Sequence, residues 1–205
     1  MGRRMQPIRD MKTIDDIQVT LSKLEDPRGR RMFLMFELGI RLGLRIGDLL
    51  ELRVGDVRGK MSYTFRPHKQ RHKNGGRGIT LTVTIEPDVR KIISARTKGL
   101  PDDELLFRSR NHTRGGNPKA ISRAQAYEDM QRIGEICHVQ DIGCHTLRKT
   151  FGYHHYQRHH DIAFLQEWYG HSDQSTTLIY IGITEDNFRK RTDNSPFRLP
   201  DGIEL

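Results

Sequence analysis

Cysteine is scarce: Cys137 and Cys144 are the only two in 205 residues, and neither shows metal-ligand spacing. This excludes a disulfide-stapled secreted scaffold and a thiolate zinc domain, and fits reduced thiols in a cytoplasmic protein. Long hydrophobic runs are missing too. The most apolar stretch, MFLMFELGI (32–40), carries Glu37 and falls well short of the ~20 residues of a membrane helix. No apolar segment follows the charged start MGRRMQPIRDMK, so no signal peptide is expected. No internal repeat or low-complexity tract is visible, which argues against a solenoid or a disordered chain.

What is abundant is positive charge. Thirty-five Lys and Arg against 26 Asp and Glu leave a formal +9, spread along the chain and not gathered in a tail. A polyanionic partner follows, and nucleic acid is the expected one. An anionic membrane surface is disfavoured, because no basic amphipathic helix carries aromatic anchors. The length suits one domain with a sizeable core.

Apolar periodicity predicts helices over 13–24 with Thr13 as cap, over 30–43 ended by Gly43, and around 47–52. EDPRGRR is read as the break between the first two. Period-two alternation in MSYTFRPH and RGITLTVTI predicts two antiparallel strands joined through Asn-Gly-Gly. Helices follow at 87–100, with Pro87 in the first turn, and at 122–137, capped by Ser122. PDDELLFRS reads as a linking strand or loop, and RSRNHTRGGNPKAISR as an exposed basic loop. Beyond these, WYGHSD reads as a turn, with Ser172 or Asp173 able to cap the helix after it. His155 and His159 are four apart, as two zinc ligands on one helix would be. No Glu follows the first and no third ligand is evident, so a solvated or DNA-facing stripe is expected instead.

Four residues near the end of the chain suit one another chemically. His145 and Arg148 are three apart and share a helix face; His171 follows 23 residues later and Tyr180 nine after that. Basic donors, a second imidazole and a phenol on consecutive helices make a site that holds an anion beside a nucleophile.

HTLRKT followed by GHSDQSTTLIY resembles the H-x-x-R…G-H…Y signature of the tyrosine recombinases, also called the phage integrase family. GLRIGDLLEL resembles that family's G-L-R-x-x-E/D-L block, with Arg45 as its arginine and Asp48 as its acidic residue. The resemblance covers most of the chain. It implies an α+β fold, a mostly helical catalytic domain with a small antiparallel hairpin. It implies that Arg45 and Arg148 grip the non-bridging oxygens of a phosphodiester, with His145 and His171 as further donors. Tyr180 is then the nucleophile, His145 its proton acceptor, and Asp48 orients Arg45. A hairpin lysine, Lys69 or Lys73 with Lys69 favoured, protonates the leaving oxygen. Four cationic or donor groups leave no need for a metal, and no cofactor is expected. Arg123, Gln125 and Arg132 on the 122–137 helix, with Arg114 in the basic loop, are the expected DNA contacts.

The implied activity is site-specific recombination of double-stranded DNA, by integration, excision or inversion, through a 3′-phosphotyrosyl intermediate. The alternatives are a type IB-like topoisomerase and a DNA-binding regulator whose catalytic site is unused. The expected partners are double-stranded DNA, a homotetramer assembled on it from chains that are monomers when free, and an accessory directionality factor. The expected domain spans 1–183, with 184–205 as a C-terminal segment touching a neighbouring protomer. Arg45 lies so near the start that no N-terminal core-binding domain is expected. The expected place is the cytoplasm, at the nucleoid.

Overall fold

The computed structural model describes residues 5–67, 80–112 and 116–184. Lys69, Lys73, Arg114 and residues 185–205, on which several of the readings above fall, lie outside the described residues.

The central element is α2 (Pro27–Leu42), which buries Met32, Met35, Phe36, Leu38 and Leu42 among its neighbours. Its start differs from the expected one. Asp26 caps it, accepting from the Arg28 and Gly29 amides at 2.9 and 3.1 Å, so the supposed break is the first turn. Proline at the first position loses nothing there, since that amide has no intrahelical acceptor. Glu37 survives in the core by pairing with Arg41 one turn on, at 3.0 Å. Before α2 runs α1 (Met11–Ser22), whose Ile14, Ile17 and Leu21 face it. Its cap is Asp10, not Thr13, which is a donor to the Asp10 carboxylate.

Gly43 closes α2 in the left-handed region at φ +58. A β-carbon there would lie 2.2 Å from the Phe151 ring. Gly43→Ala is therefore expected to cost roughly 2–4 kcal/mol, combining left-handed strain with overpacking. Chemical denaturation measures it, and a loss under about 1 kcal/mol would contradict the packing described.

Two short helices follow, α3 (Ile46–Leu50) and α4 (Val54–Val57). β1 (Ser62–Phe65) and β2 (Leu81–Thr84) pair antiparallel with Ser62 opposite Thr84 and Phe65 opposite Leu81, as the alternation predicts. Phe65, Leu81 and Val83 turn inward, while the hydroxyls of Thr64 and Thr82 meet at 2.9 Å on the outer face. After α5 (Pro87–Arg96) comes a second antiparallel pair, β3 (Arg108–His112) with β4 (Pro118–Ala120). The expected exposed loop is thus a hairpin in part. Arg108, Pro118 and Lys119 are exposed, so no apolar alternation marks it.

The remaining helices are α6 (Arg123–Cys137), α7 (Cys144–His159), α8 (Ile162–Tyr169) and α9 (Gln174–Ile181). α6 is tied to α2 through Asp129, which is fully buried. Arg28 Nε and Arg31 Nε reach its two oxygens at 2.8 and 2.7 Å. α7 lies along α2, with Leu147 against Gly39 at a place where any β-carbon would collide. Most of the buried apolar side chains form one cluster that draws on every helix named above and on β1 and β2.

Candidate active site

The C-terminal end of α8 organises the site. The last carbonyls of a helix have no intrahelical donor, and the helix dipole makes that end negative. Here Gly170, left-handed at φ +67, turns the chain away and leaves the Trp168 and Tyr169 carbonyls open. Arg148 Nη2 donates to Trp168 O at 3.0 Å, and Arg45 Nη2 donates to the next carbonyl, that of Tyr169. Two arginines far apart in sequence thus sit on adjacent carbonyls of one helix end.

Arg148 is 5% exposed. Its second arm, Nη1, donates to Gly43 O, which also accepts Trp168 Nε1 at 3.1 Å. Neutral carbonyls hold the guanidinium in place without cancelling its charge, so the charge stays available to an anion. Burial pushes its pKa down to about 10, and the Arg45 charge adds to that. Tyr169, Tyr180 and the buried Asp48 carboxylate act the other way. At neutral pH it stays charged. Its Cζ lies 4.5 Å from the centroid of the Tyr169 ring, whose hydroxyl donates to Arg148 O at 2.9 Å. Gly152 makes that bond possible: a β-carbon there would lie 2.0 Å from the Tyr169 oxygen. Burial drives the Tyr169 phenol far above its ordinary pKa, so it remains a neutral donor.

Tyr180 rides on α9. Asp173, not Ser172, caps that helix: its carboxylate takes the Thr176 amide at 2.7 Å and the hydroxyls of Ser172, Ser175 and Thr176. These donors hold the Asp173 pKa well below the usual carboxylate range. His171 Nδ1 lies 3.0 Å from Thr177 Oγ1 in the first turn of the same helix. The Tyr180 ring meets His171 edge-on at 5.3 Å between centroids and Tyr169 at 4.9 Å. Burial raises the Tyr180 pKa, while Arg148 and Arg45 oppose the rise. His171 shifts down, first through burial and then through the same two arginines, so its imidazole is neutral at pH 7.

The structure therefore brings Arg45, Arg148, His171 and Tyr180 together. His145 is exposed on the first turn of α7, one turn before Arg148. On α6, Arg123 lies across Gly47 of α3, where a β-carbon would come within 2.7 Å of its Nη2. Arg132 sits two and a half turns further along, on the opposite helix face, paired with Glu135 at 2.9 Å. Gln125 donates to Glu128 at 3.0 Å and reaches buried Asp129 at 3.4 Å. The His155 and His159 rings meet at a tilt, 4.7 Å between centroids, and His155 stacks on Phe164 at 4.5 Å. Among the described residues, no group of three or more His, Cys, Asp or Glu side chains is placed to hold a metal ion.

Sequence reasoning passed over Gly43, Lys149, Trp168 and Tyr169. Three of these act through backbone carbonyls, which leave no side-chain signal. Gly43 could have been weighted as more than a helix stop, since it is the first residue of the GLRIGDLLEL block.

The sequence profile of the Phage integrase family matches residues 10–186. The Bacillus subtilis (strain 168) protein named "Probable integrase/recombinase YoeC" is 38% identical over 185 residues, 90% of this chain and 93% of that one. The "Tyrosine recombinase XerD" of Listeria innocua is 25% identical over 89% of this chain and 61% of its own length, so the chain spans under two thirds of that relative. Among solved structures, the XerH site-specific recombinase bound to palindromic difH substrate, a post-cleavage complex, superposes with a TM-score of 0.61 at 21% identity. That match covers 93% of this chain and 54% of XerH.

Proposed function

The chain belongs to the phage integrase family, and from that premise we propose that it is a site-specific DNA recombinase cutting and rejoining strands through Tyr180. Its substrate is double-stranded DNA. The phosphodiester lies against Arg45 and Arg148, whose charges offset the repulsion a nucleophile would meet. The Tyr180 oxygen attacks phosphorus, its proton passes to His145, and the 5′-oxygen leaves with a proton from the hairpin lysine, Lys69 or Lys73. The 3′-phosphotyrosyl ester keeps the energy of the broken bond. A second 5′-hydroxyl can then attack and reverse the step without ATP. Each charged contact that tightens in the transition state supplies about 3–4 kcal/mol.

The observation that carries this reading is the seating of Arg45 and Arg148 on adjacent carbonyls of α8, with Tyr180 packed on Tyr169 beside them. The proposed working assembly is a homotetramer on two duplexes, with an accessory factor setting direction. The residues from 184 onward are proposed to reach a neighbouring protomer, and Arg114, Arg123, Gln125 and Arg132 to contact the DNA. Residues 1–183 are proposed to form the catalytic domain. Among the described residues, no helix is long and apolar enough to cross a membrane, and we place the protein's action on cytoplasmic DNA.

The test is to incubate the protein with nicked genomic fragments and sequence the DNA covalently bound to it. A 3′-phosphate joined to Tyr180 at a recurrent sequence is expected, and that duplex in two copies should recombine. Relaxation of supercoils without two-site exchange would transfer the chain to the topoisomerase reading. Absence of any adduct would leave a DNA-binding regulator.

A further inference from the structure

Lys149 follows Arg148 in α7 and is just 4% exposed. Burying an amine is costly unless its surroundings repay it. Its surroundings include a backbone carbonyl and an aromatic face: Nζ donates to Met5 O at 2.7 Å and lies 5.1 Å from the centroid of the Tyr180 ring, over its face. Met5 belongs to the extended segment leading into α1, and that segment is laced across two helices. The Ile8 amide donates to Thr150 Oγ1 at 2.9 Å, and His154 Nε2 lies 2.9 Å from Ile8 O, both on α7. Arg9 reaches across to Gly182 O, at the end of the Tyr180 helix, at 3.4 Å. A β-carbon at Gly182 would meet Arg9 Nη2 at 2.7 Å and Pro7 at 3.3 Å, so the strap lies directly on that helix end.

We propose that Lys149 is a positioning residue for Tyr180, and that the strap of residues 5–10 sets it. The Met5 carbonyl aims Nζ at the face of the phenol ring and holds the ring at the angle that presents its hydroxyl beside Arg148. Arg148 and Arg45 oppose the burial-driven rise of the phenol's pKa; Lys149, over the ring face, acts on its orientation. A strap tied to both α7 and α9 keeps the basic helix and the nucleophile helix in register. Anything that shifts residues 5–10 would then shift Tyr180. The inference rests on the assignment of Tyr180 as nucleophile, and its test has an arm that needs no DNA.

In protein carrying 3-fluorotyrosine, the Tyr180 fluorine resonance is assigned by its loss in Tyr180→Phe. Wild type is expected to show one narrow line. Lys149→Met, similar in length and uncharged, should broaden or double it, and Lys149→Arg should restore it. Arg9→Ala, which loosens the strap at Gly182 and leaves Lys149 intact, should shift the line in the same sense, and it decides the matter if Lys149→Met does not fold. On the duplex recovered in the adduct experiment, Lys149→Met should form the covalent complex roughly tenfold more slowly at unchanged DNA affinity, the size a desolvated cation–π contact supports. Arginine should recover most of that rate. A Tyr180 line and cleavage rate unchanged in Lys149→Met would overturn the proposal. So would a loss of rate that tracks DNA affinity and thermal midpoint and that arginine does not rescue, since this would make Lys149 a core residue only. If wild type forms no adduct at all, the nucleophile assignment falls while the fluorine arm still decides the positioning.

Discussion

Tyr180→Phe should eliminate the covalent protein–DNA adduct while leaving folding and DNA affinity unchanged. The substitution removes one oxygen and keeps the ring that packs on Tyr169 and His171 and under Lys149. The apolar and cation–π contacts of the site survive it, so lost chemistry cannot be blamed on a collapsed pocket. Tyr153, Tyr156 and Tyr169 are the other tyrosines of α7 and α8. Tyr169 is already committed, through its hydroxyl, to Arg148 O. An adduct persisting in Tyr180→Phe, detected as protein retarded with labelled DNA in denaturing gels, would move the nucleophile elsewhere.

The same variant isolates the ionisation of the nucleophile. A free phenol with pKa near 10 is ionised in about one molecule per thousand at neutral pH, a cost on the order of 4 kcal/mol. Burial raises the Tyr180 value further, and Arg148 and Arg45 recover part of the rise without reversing it. Without DNA the phenol is therefore protonated at all physiological pH values. An alkaline ultraviolet titration, wild type minus Tyr180→Phe, should put this ionisation above that of free tyrosine. A difference titration at or below about 10 would mean that the arginines outweigh burial even without substrate.

How the sequence foreshadowed this structure depends on what carries each feature. Where a side chain both signals and performs the role, the sequence shows it more readily: Ser122 caps α6, Asp173, one of two candidates, caps α9, and Phe65, Leu81 and Val83 alternate inward from the first hairpin. Even so, Asp10 caps α1 where Thr13 is the expected cap. Arg45 and Arg148 could be picked out together only through the family pattern, since nothing local in either segment points at the other. Where the backbone performs the role, the sequence is silent. The Trp168, Tyr169 and Gly43 carbonyls that seat both guanidiniums would read the same whatever their side chains. The β3–β4 hairpin escaped because its exposed polar positions carry no apolar period. Pro27 misled because proline breaks a helix interior yet begins a helix well. Lys149 was hidden for another reason: a lysine beside a functional arginine reads as surface charge until the fold closes the N-terminal strap over it.

Arg148→Lys should be nearly as damaging to cleavage as removing the side chain altogether. Lysine keeps a positive charge but has one nitrogen, whereas the guanidinium spans from Gly43 O to Trp168 O and still faces Tyr180. A single ammonium cannot hold both carbonyls and an incoming phosphate oxygen, because it lacks the planar fork. Loss of one such preorganised donor commonly costs ~10²–10³ in rate, and that is the expected fall in single-turnover adduct formation. Stability should fall as well, by about 1–3 kcal/mol for a buried carbonyl left without its donor. Arg45→Lys separates the two effects. Arg45 is less buried, and its bond goes to the single Tyr169 carbonyl, which a lysine can also reach. Cleavage should then drop by a similar factor with a smaller change in denaturation midpoint. Should both lysine variants cleave at the wild-type rate, charge alone would suffice, and seating on the end of α8 would be packing without catalytic consequence.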